Sequence, residues 1–188
     1  MNRKKIIILI VTVVFAVSIC GAHFMYGNYQ RGAELAEYAS QVLVPCTSFA
    51  DNIEYNIRMF LNPEVYNPEF YPGYIDKYFF DYTLGKCIVF FGYEDMPLLE
   101  EDVRLDLLLQ FEELRDETVS QEDFENLFTD EERVNEVSLL GDRLEALSVA
   151  IHVFKIRYQE MSVWERCFAS WENERKIFSE LIRIPQYE

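Results

Sequence analysis

The sequence predicts a mainly α-helical protein, with an N-terminal membrane helix followed by an antiparallel helical bundle that includes one long C-terminal helix. Three observations support this fold class. An apolar run occupies residues 6–26, apolar residues recur every three or four positions over residues 134–184, and no Gly/Ser-rich linker or internal repeat divides the sequence. We therefore expect a membrane anchor or signal segment at residues 1–27 and one extracytoplasmic helical domain at residues 28–188.

The N-terminal segment has three cations at residues 3–5, followed by the apolar run. A helix without a polar face is unsuited to the surface of a soluble domain. The 21 residues from 6 to 26 reach roughly 30 Å, the thickness of a hydrocarbon core, which favours a retained anchor. Two alternatives stay open. One is a signal peptide with its apolar core at residues 6–20 and cleavage before His23, and the other is lipidation of Cys20.

Charge predicts the orientation of this segment. The cations all precede the apolar run, whereas Arg31 is outnumbered by Glu34 and Glu37 just after it. Positive flanks stay in the cytoplasm, so residues 28–188 are expected to lie outside it. If the segment is a cleaved signal, the domain is instead secreted or periplasmic.

The expected extracytoplasmic domain is strongly acidic. It contains all 33 Asp and Glu but only 14 of the 17 Lys and Arg, because three cations precede it, so its net charge is −19 (14 − 33). Nucleic-acid binding requires the opposite sign to neutralise phosphates, which excludes that class. The densest part, residues 94–136, holds 17 acidic residues and three Arg, and we call it the acidic belt.

The first elements of the domain are predicted to be two helices. A break from the membrane segment is expected near residues 27–28. Alanines that recur with helical spacing then indicate a helix over residues 29–44, and Pro45 should end this helix. Ser48 with Asp51 forms a capping pattern that should start the second helix.

The next segment is rich in aromatic residues, which make up 12 of the 34 residues in 60–93. Residues 86–91 are β-branched and aromatic and lie between Gly85 and Gly92, which predicts a strand. A small β-hairpin near residues 75–92 is therefore expected, with a short helix over residues 75–83 as the alternative. The aromatic residues would either form a contact surface or fill one end of the bundle.

From residue 97 onward the predicted structure is helical. One apolar face extends to about residue 116, and a seam with coiled-coil-like spacing covers residues 134–184, which indicates a long helix over residues 130–183 with a break near Met161. Capping patterns occur at Ser120 with Asp123, Thr129 with Glu132, and Ser162 with Glu165.

The sequence predicts no catalytic residue, no cofactor and no metal site. The two histidines, His23 and His152, lack metal-ligand spacing, and Cys167 lies too far along the helix from His152 to form a nucleophile pair. A carboxylate cluster in the acidic belt could hold a divalent ion weakly or serve as an acid/base pair, but a solvated face is the favoured interpretation. Its members are Glu112, Glu113, Asp116 and Glu117.

The domain has three cysteines, which allow one disulfide and leave one thiol. Thiols outside the cytoplasm tend to pair, although three buried free thiols are an equally reasonable expectation. We predict pairing of Cys46 with Cys87, because both lie close in sequence to the aromatic segment.

The function expected from these features is binding of another protein outside the cytoplasm. Two surfaces are candidates, the carboxylate cluster named above and an aromatic set among prolines, and the aromatic set is slightly favoured because large rings contribute more to affinity than rim charges. The aromatic set consists of Tyr66, Phe70, Tyr71 and Tyr74. The alternatives are a carboxylate-dependent hydrolytic enzyme of the cell envelope and a structural spacer. The oligomeric state is not predicted.

Overall fold

The computed structural model describes residues 3–61, 77–93 and 96–183, and these residues form seven helices and no strand. The helices are α1 (Arg3–Leu61), α2 (Lys77–Phe91), α3 (Glu101–Glu117), α4 (Gln121–Leu127), α5 (Glu131–Glu160), α6 (Val163–Phe168) and α7 (Trp171–Ile182). The helical fold class is confirmed for this part of the chain, including a long apolar N-terminal helix that packs against other helices.

Helix α1 is continuous over 59 residues, so the breaks predicted near residues 27–28 and at Pro45 are wrong, and Ser48 starts no helix. Pro45 lies buried inside α1, where a proline costs about 3 kcal/mol because it removes a helical hydrogen bond. The helix continues because a buried stripe crosses the proline, and each large side chain in it gains roughly 1.5–3 kcal/mol from burial. The stripe consists of Leu35, Ala39, Val42, Cys46, Phe49 and Ile53.

The first part of α1 extends beyond the bundle. The described side chains of residues 7–24 are all exposed, whereas Met25 is partly covered. An 18-residue window in this helix has a mean hydropathy of 2.6, and none of it is buried. By length and composition, α1 is therefore able to cross a membrane or to act as a signal segment.

Helix α2 occupies the segment for which a hairpin was predicted, and that prediction is wrong for residues 77–91. Residues 75 and 76 lie outside the described residues. The helix forms because its buried side chains recur with helical spacing, so packing overrides the β-propensity of residues 86–91. These buried residues are Phe80, Thr83, Leu84, Cys87 and Phe91. The alternative of a helix in residues 75–83 agrees with the observed start at Lys77.

Helix α5 runs antiparallel to α1. Gly141 in its first half packs against Ile53, while Trp171, which follows its far end, packs against Gly32. Phenylalanines fill the space between α1, α2 and α3, with ring centroids 5.2 Å apart for Phe49 and Phe80. The core therefore lies well beyond the exposed stretch of α1.

The long C-terminal helix that the sequence predicts is divided into α5, α6 and α7. The expected break at Met161 is present, and a second one follows α6 at Ala169. The capping box of Ser162 and Glu165 starts α6 as predicted.

The other two capping predictions have different outcomes. Ser120 and Asp123 form the predicted capping box at the start of α4. Thr129 is not the cap of α5, because the side chain of Asp130 accepts hydrogen bonds from the backbone N–H groups of Glu132 and Arg133. Asp130 thus occupies the N-cap position, one residue later than predicted.

Candidate functional site

An open groove of about 350 Å³ lies between α3 and α5. Its floor consists of Leu114, Val137 and Leu140, which are buried, and Leu139 on its lining is 42% exposed. The groove forms because α3 packs against α2 and α7 and has no extensive contact with α5. We call this feature the α3–α5 groove.

Both walls of the α3–α5 groove are regular helix faces. The lining positions on each helix recur at i, i+3, i+4 and i+7, which places them on one side of the helix over about 10 Å. They are Gln110, Glu113, Leu114 and Glu117 on α3, and Arg133, Glu136, Val137 and Leu140 on α5. Two turns of a partner helix therefore match the length of the groove.

Charged side chains surround the apolar floor. Arg133 forms ion pairs with Glu117 on α3 and with Glu136 on its own helix. Glu113 and Arg143 complete the charged lining. Arg133 thus links the two walls, and a cationic group of a partner would compete with it for two carboxylates.

Only two of the four predicted carboxylates line the groove. Glu113 and Glu117 line the α3–α5 groove, whereas Glu112 and Asp116 are not part of its lining. Asp116 instead accepts a hydrogen bond from Arg115 at 3.2 Å. The sequence analysis did not identify the residues of α5 that line the groove. The helical periodicity of the apolar seam in residues 134–184 could have indicated this face of α5, which also carries Arg133.

The predicted aromatic contact set, Tyr66, Phe70, Tyr71 and Tyr74, lies outside the described residues. Its neighbours in the aromatic segment have two roles. Phe80 and Phe91 are fully buried, and Phe60 stacks on Phe128 with ring centroids 5.7 Å apart. Other aromatic residues of the segment are exposed, namely Tyr78, Phe79, Tyr82 and Tyr93.

Cys46 on α1 and Cys87 on α2 are brought together in the core as free thiols. A hydrogen bond between the two side chains, followed by burial, raises the pKa of Cys46 well above its usual range. The protonated thiol is therefore favoured, which slows any reaction that needs a thiolate. The pairing of these residues as a disulfide stays a prediction. Cys167 is also a buried free thiol.

The acidic side chains of the described residues lie at or near the protein surface. No Asp or Glu among them is buried, and no group of three or more His, Cys, Asp and Glu within residues 3–61, 77–93 and 96–183 is placed to hold a metal ion. Hydrogen bonds from Ser120 and Ser162 lower the pKa of Asp123 and Glu165, and both carboxylates belong to the capping boxes that start α4 and α6. His152 is exposed on α5.

No protein family, curated protein or solved structure matches this chain. The geometry of the described residues is therefore the basis for the functional proposal.

Proposed function

We propose that this protein is a membrane-anchored or exported acidic helical module that binds another protein outside the cytoplasm. The observation that carries the proposal is the α3–α5 groove, which combines an apolar floor with carboxylates at its edges. The expected ligand is an amphipathic protein segment with basic residues beside its apolar face.

The groove suits this ligand for two physical reasons. Leu139 retains apolar surface that a partner would cover, and burial of such surface contributes about 25 cal/mol per Å². Glu113, Glu117 and Glu136 can accept hydrogen bonds from Lys or Arg of the partner. A helix that places apolar residues at i, i+3, i+4 and i+7 on the floor has both properties.

The membrane location is part of the same proposal. The exposed apolar stretch of α1 supports an anchor by length and composition, and a signal segment is the alternative. Cations at residues 3–5 favour a cytoplasmic N-terminus, with the bundle outside. The net charge of the domain would attract a basic partner.

The two alternative functions have less support. A hydrolytic enzyme would be favoured by buried carboxylates in a cleft, and the described carboxylates are not buried. A spacer needs only one extended helix, whereas this chain folds several helices around a shared core.

A photo-crosslinking experiment tests the proposed groove. A photoreactive phenylalanine analogue at Leu139 should form a crosslink to one partner protein in cells. The same analogue at Leu109, which is exposed on α3 outside the groove lining, is the matched control. Crosslinking from both positions alike, or from neither, would contradict the proposal.

Charge variants then test the chemistry of the contact. Neutralising Glu112, Glu113, Asp116 and Glu117 together should lower the association rate of the crosslinked partner several-fold at low salt and leave the fold intact, because exposed charges contribute little to stability. A control variant with the same change in net charge neutralises exposed acids on another surface. Its positions are Asp51, Glu54, Asp142 and Glu145. Equal effects of the two variants would mean that only net charge matters.

Arg133 provides a test of the opposite sign. Arg133 forms ion pairs with Glu117 and Glu136. The variant Arg133→Ala should therefore leave both carboxylates available to a basic partner and strengthen its binding. Weaker binding would show that Arg133 itself contacts the partner and that the expected partner charge is wrong.

The aromatic set remains the second candidate surface. Replacing Tyr66, Phe70, Tyr71 and Tyr74 should raise the dissociation rate with little salt dependence if these rings contact the partner. If the replacement unfolds the domain, the rings belong to the core and the α3–α5 groove is the remaining surface.

A further inference from the structure

Helix α6 exposes three large apolar side chains at one end of the bundle. Val163 is 61%, Trp164 67% and Phe168 66% exposed, and Cys167 is the only buried residue of this short helix. Trp164 and Phe168 are four residues apart and therefore lie on the same side of α6. Such a cluster of exposed aromatic and aliphatic side chains indicates an interaction surface.

The position of α6 is fixed by contacts with α1. The Asn28 side chain donates hydrogen bonds to the backbone oxygens of Cys167 at 2.8 Å and Ala169 at 3.0 Å. The indole N–H of Trp171 donates to the backbone oxygen of Asn28 at 2.8 Å. Phe168 lines the same cavity as Phe24, a residue of the exposed apolar stretch.

These contacts place α6 at the outer end of the proposed membrane span. Asn28 is two residues beyond residue 26, which corresponds to about 3 Å along α1. The headgroup region outside each face of the hydrocarbon core is roughly 5–8 Å thick. A helix attached at Asn28 therefore lies at the level of the headgroups, where Trp side chains are enriched because they combine an apolar ring with a polar N–H.

We propose that α6 is a membrane-interface element that inserts Trp164, Phe168 and Val163 into the outer surface of the lipid bilayer beside α1. The occupant is lipid rather than protein, because Phe168 of α6 lines one cavity with Phe24, a residue of the exposed apolar stretch of α1. The charged side chains of the same cavity, Arg31, Glu34, Glu172 and Arg175, would lie on the headgroup side. This inference rests on the proposed anchor, since only a retained α1 holds α6 at the bilayer.

The remaining side chains of α6 are compatible with this position. Glu165 caps the helix at Ser162, and the guanidinium group of Arg166 lies 4.3 Å from the ring centroid of Tyr158. The Glu165 carboxylate accepts a hydrogen bond from the backbone N–H of Ser162, and Nη2 of Arg166 donates to the backbone oxygen of Gln159. The buried Nε of Arg166 has no hydrogen-bond partner among the described residues. Attachment at α1 and at α6 would restrict tilting of the bundle on the membrane.

The α3–α5 groove lies toward the opposite end of the bundle from α6. Gly141 lies within the stretch of α5 that lines the groove and packs against Ile53. Asn28 is 25 residues earlier than Ile53 in α1, or about 38 Å along the helix. Contact of α6 with the bilayer would therefore hold the groove away from the membrane and accessible to a partner.

Fluorescence quenching in bilayers tests the proposal, because the chain contains two tryptophans. The full chain and its Trp164→Phe variant are reconstituted in phosphatidylcholine vesicles with or without brominated acyl chains. The difference between the two proteins isolates Trp164, since Trp171 is buried in both. We expect brominated lipid to remove more than half of the Trp164 signal, and aqueous acrylamide to quench it weakly.

A matched control places an exposed tryptophan far from the membrane. Val119 is 73% exposed between α3 and α4, so Val119→Trp in the Trp164→Phe background should be quenched by acrylamide and not by brominated lipid. If Trp164 behaves like this control, the proposal is overturned. If neither reagent quenches Trp164, a protein surface covers it and the lipid assignment is overturned as well.

Failure of the anchor is recognised separately. Flotation of the vesicles and the intact mass of membrane-extracted protein report whether α1 is retained. A chain that floats with residues 1–22 intact but leaves Trp164 in water keeps the anchor and overturns the role of α6. A chain that does not float overturns both.

Discussion

Substitution of Gly32 by alanine is expected to destabilise the bundle, although alanine is the better helix former. Gly32 is buried in α1 against the indole of Trp171. A Cβ atom at this position would lie 2.5 Å from Cε2 and Cζ2 and 2.9 Å from Nε1 of the indole. Real Cβ atoms do not approach other atoms this closely, so either the helix or the ring must move.

The indole has little room to move. Its Nε1 donates to the backbone oxygen of Asn28, and its ring packs against Phe154 and Tyr158 with centroid distances of 6.3 and 5.8 Å. Overpacking of this kind costs about 1–3 kcal/mol, and a displaced indole loses a hydrogen bond of about 0.5–1.5 kcal/mol. The gain in helix propensity from Gly to Ala is about 1 kcal/mol.

The expected net effect of Gly32→Ala is a loss of about 1–3 kcal/mol in the free energy of unfolding, or about 2–12 °C in Tm for a chain of this size. Thermal and denaturant unfolding of the full chain in detergent, followed by tryptophan emission, measures it. Gly85→Ala is the matched control, because a Cβ there meets no atom within 4 Å, and it should stabilise by about 0.5–1 kcal/mol.

A double-mutant cycle identifies the cause. In a Trp171→Leu background the steric conflict is removed, so Gly32→Ala should become neutral or stabilising, with a coupling of at least about 1 kcal/mol between the two sites. If Gly32→Ala is as stable as Gly85→Ala in the wild-type background, the close approach of α1 and Trp171 is wrong.

Two further predictions concern cysteine and acid. Alkylation and mass mapping of protein isolated from the cell envelope should find a disulfide between Cys46 and Cys87. This bridge closes a loop of 42 residues and would stabilise the domain by roughly 3–4 kcal/mol. Three free thiols in the domain would contradict the prediction. The capping hydrogen bonds lower the pKa of Asp123 and Glu165 below their ordinary values of 3.8 and 4.5. The two carboxylates therefore stabilise the folded protein fully above the ordinary pKa values, and this stabilisation is lost as pH falls through the lower pKa values of the folded state. The double variant Asp123→Asn, Glu165→Gln should therefore lose less stability than wild type between about pH 5 and pH 3 in acid-unfolding measurements, and an unchanged pH dependence would refute the capping role.

Local periodicity predicted much of the helical structure. The seam residues of α5 from Val137 to Phe154 are buried with the expected spacing, and the Ser120 and Ser162 caps are present. These features depend on neighbours within one or two turns, which the sequence displays directly.

Long-range packing decided the features that sequence reasoning missed. Pro45 and the β-branched residues of α2 are poor helix formers, and both are helical because their burial faces match other helices. The α3–α5 groove needs side chains from two helices whose approach no local pattern reveals. The clash position at Gly32 likewise depends on Trp171, which lies 139 residues away in the chain.

The topology of the chain in its membrane tests the central claim most directly. A reporter enzyme that is active only outside the cytoplasm, fused after Glu188, should be active in intact cells, and a reporter that is active only in the cytoplasm should be silent at the same position. The reverse pattern would contradict an acidic binding module held outside the cytoplasm by its N-terminal helix.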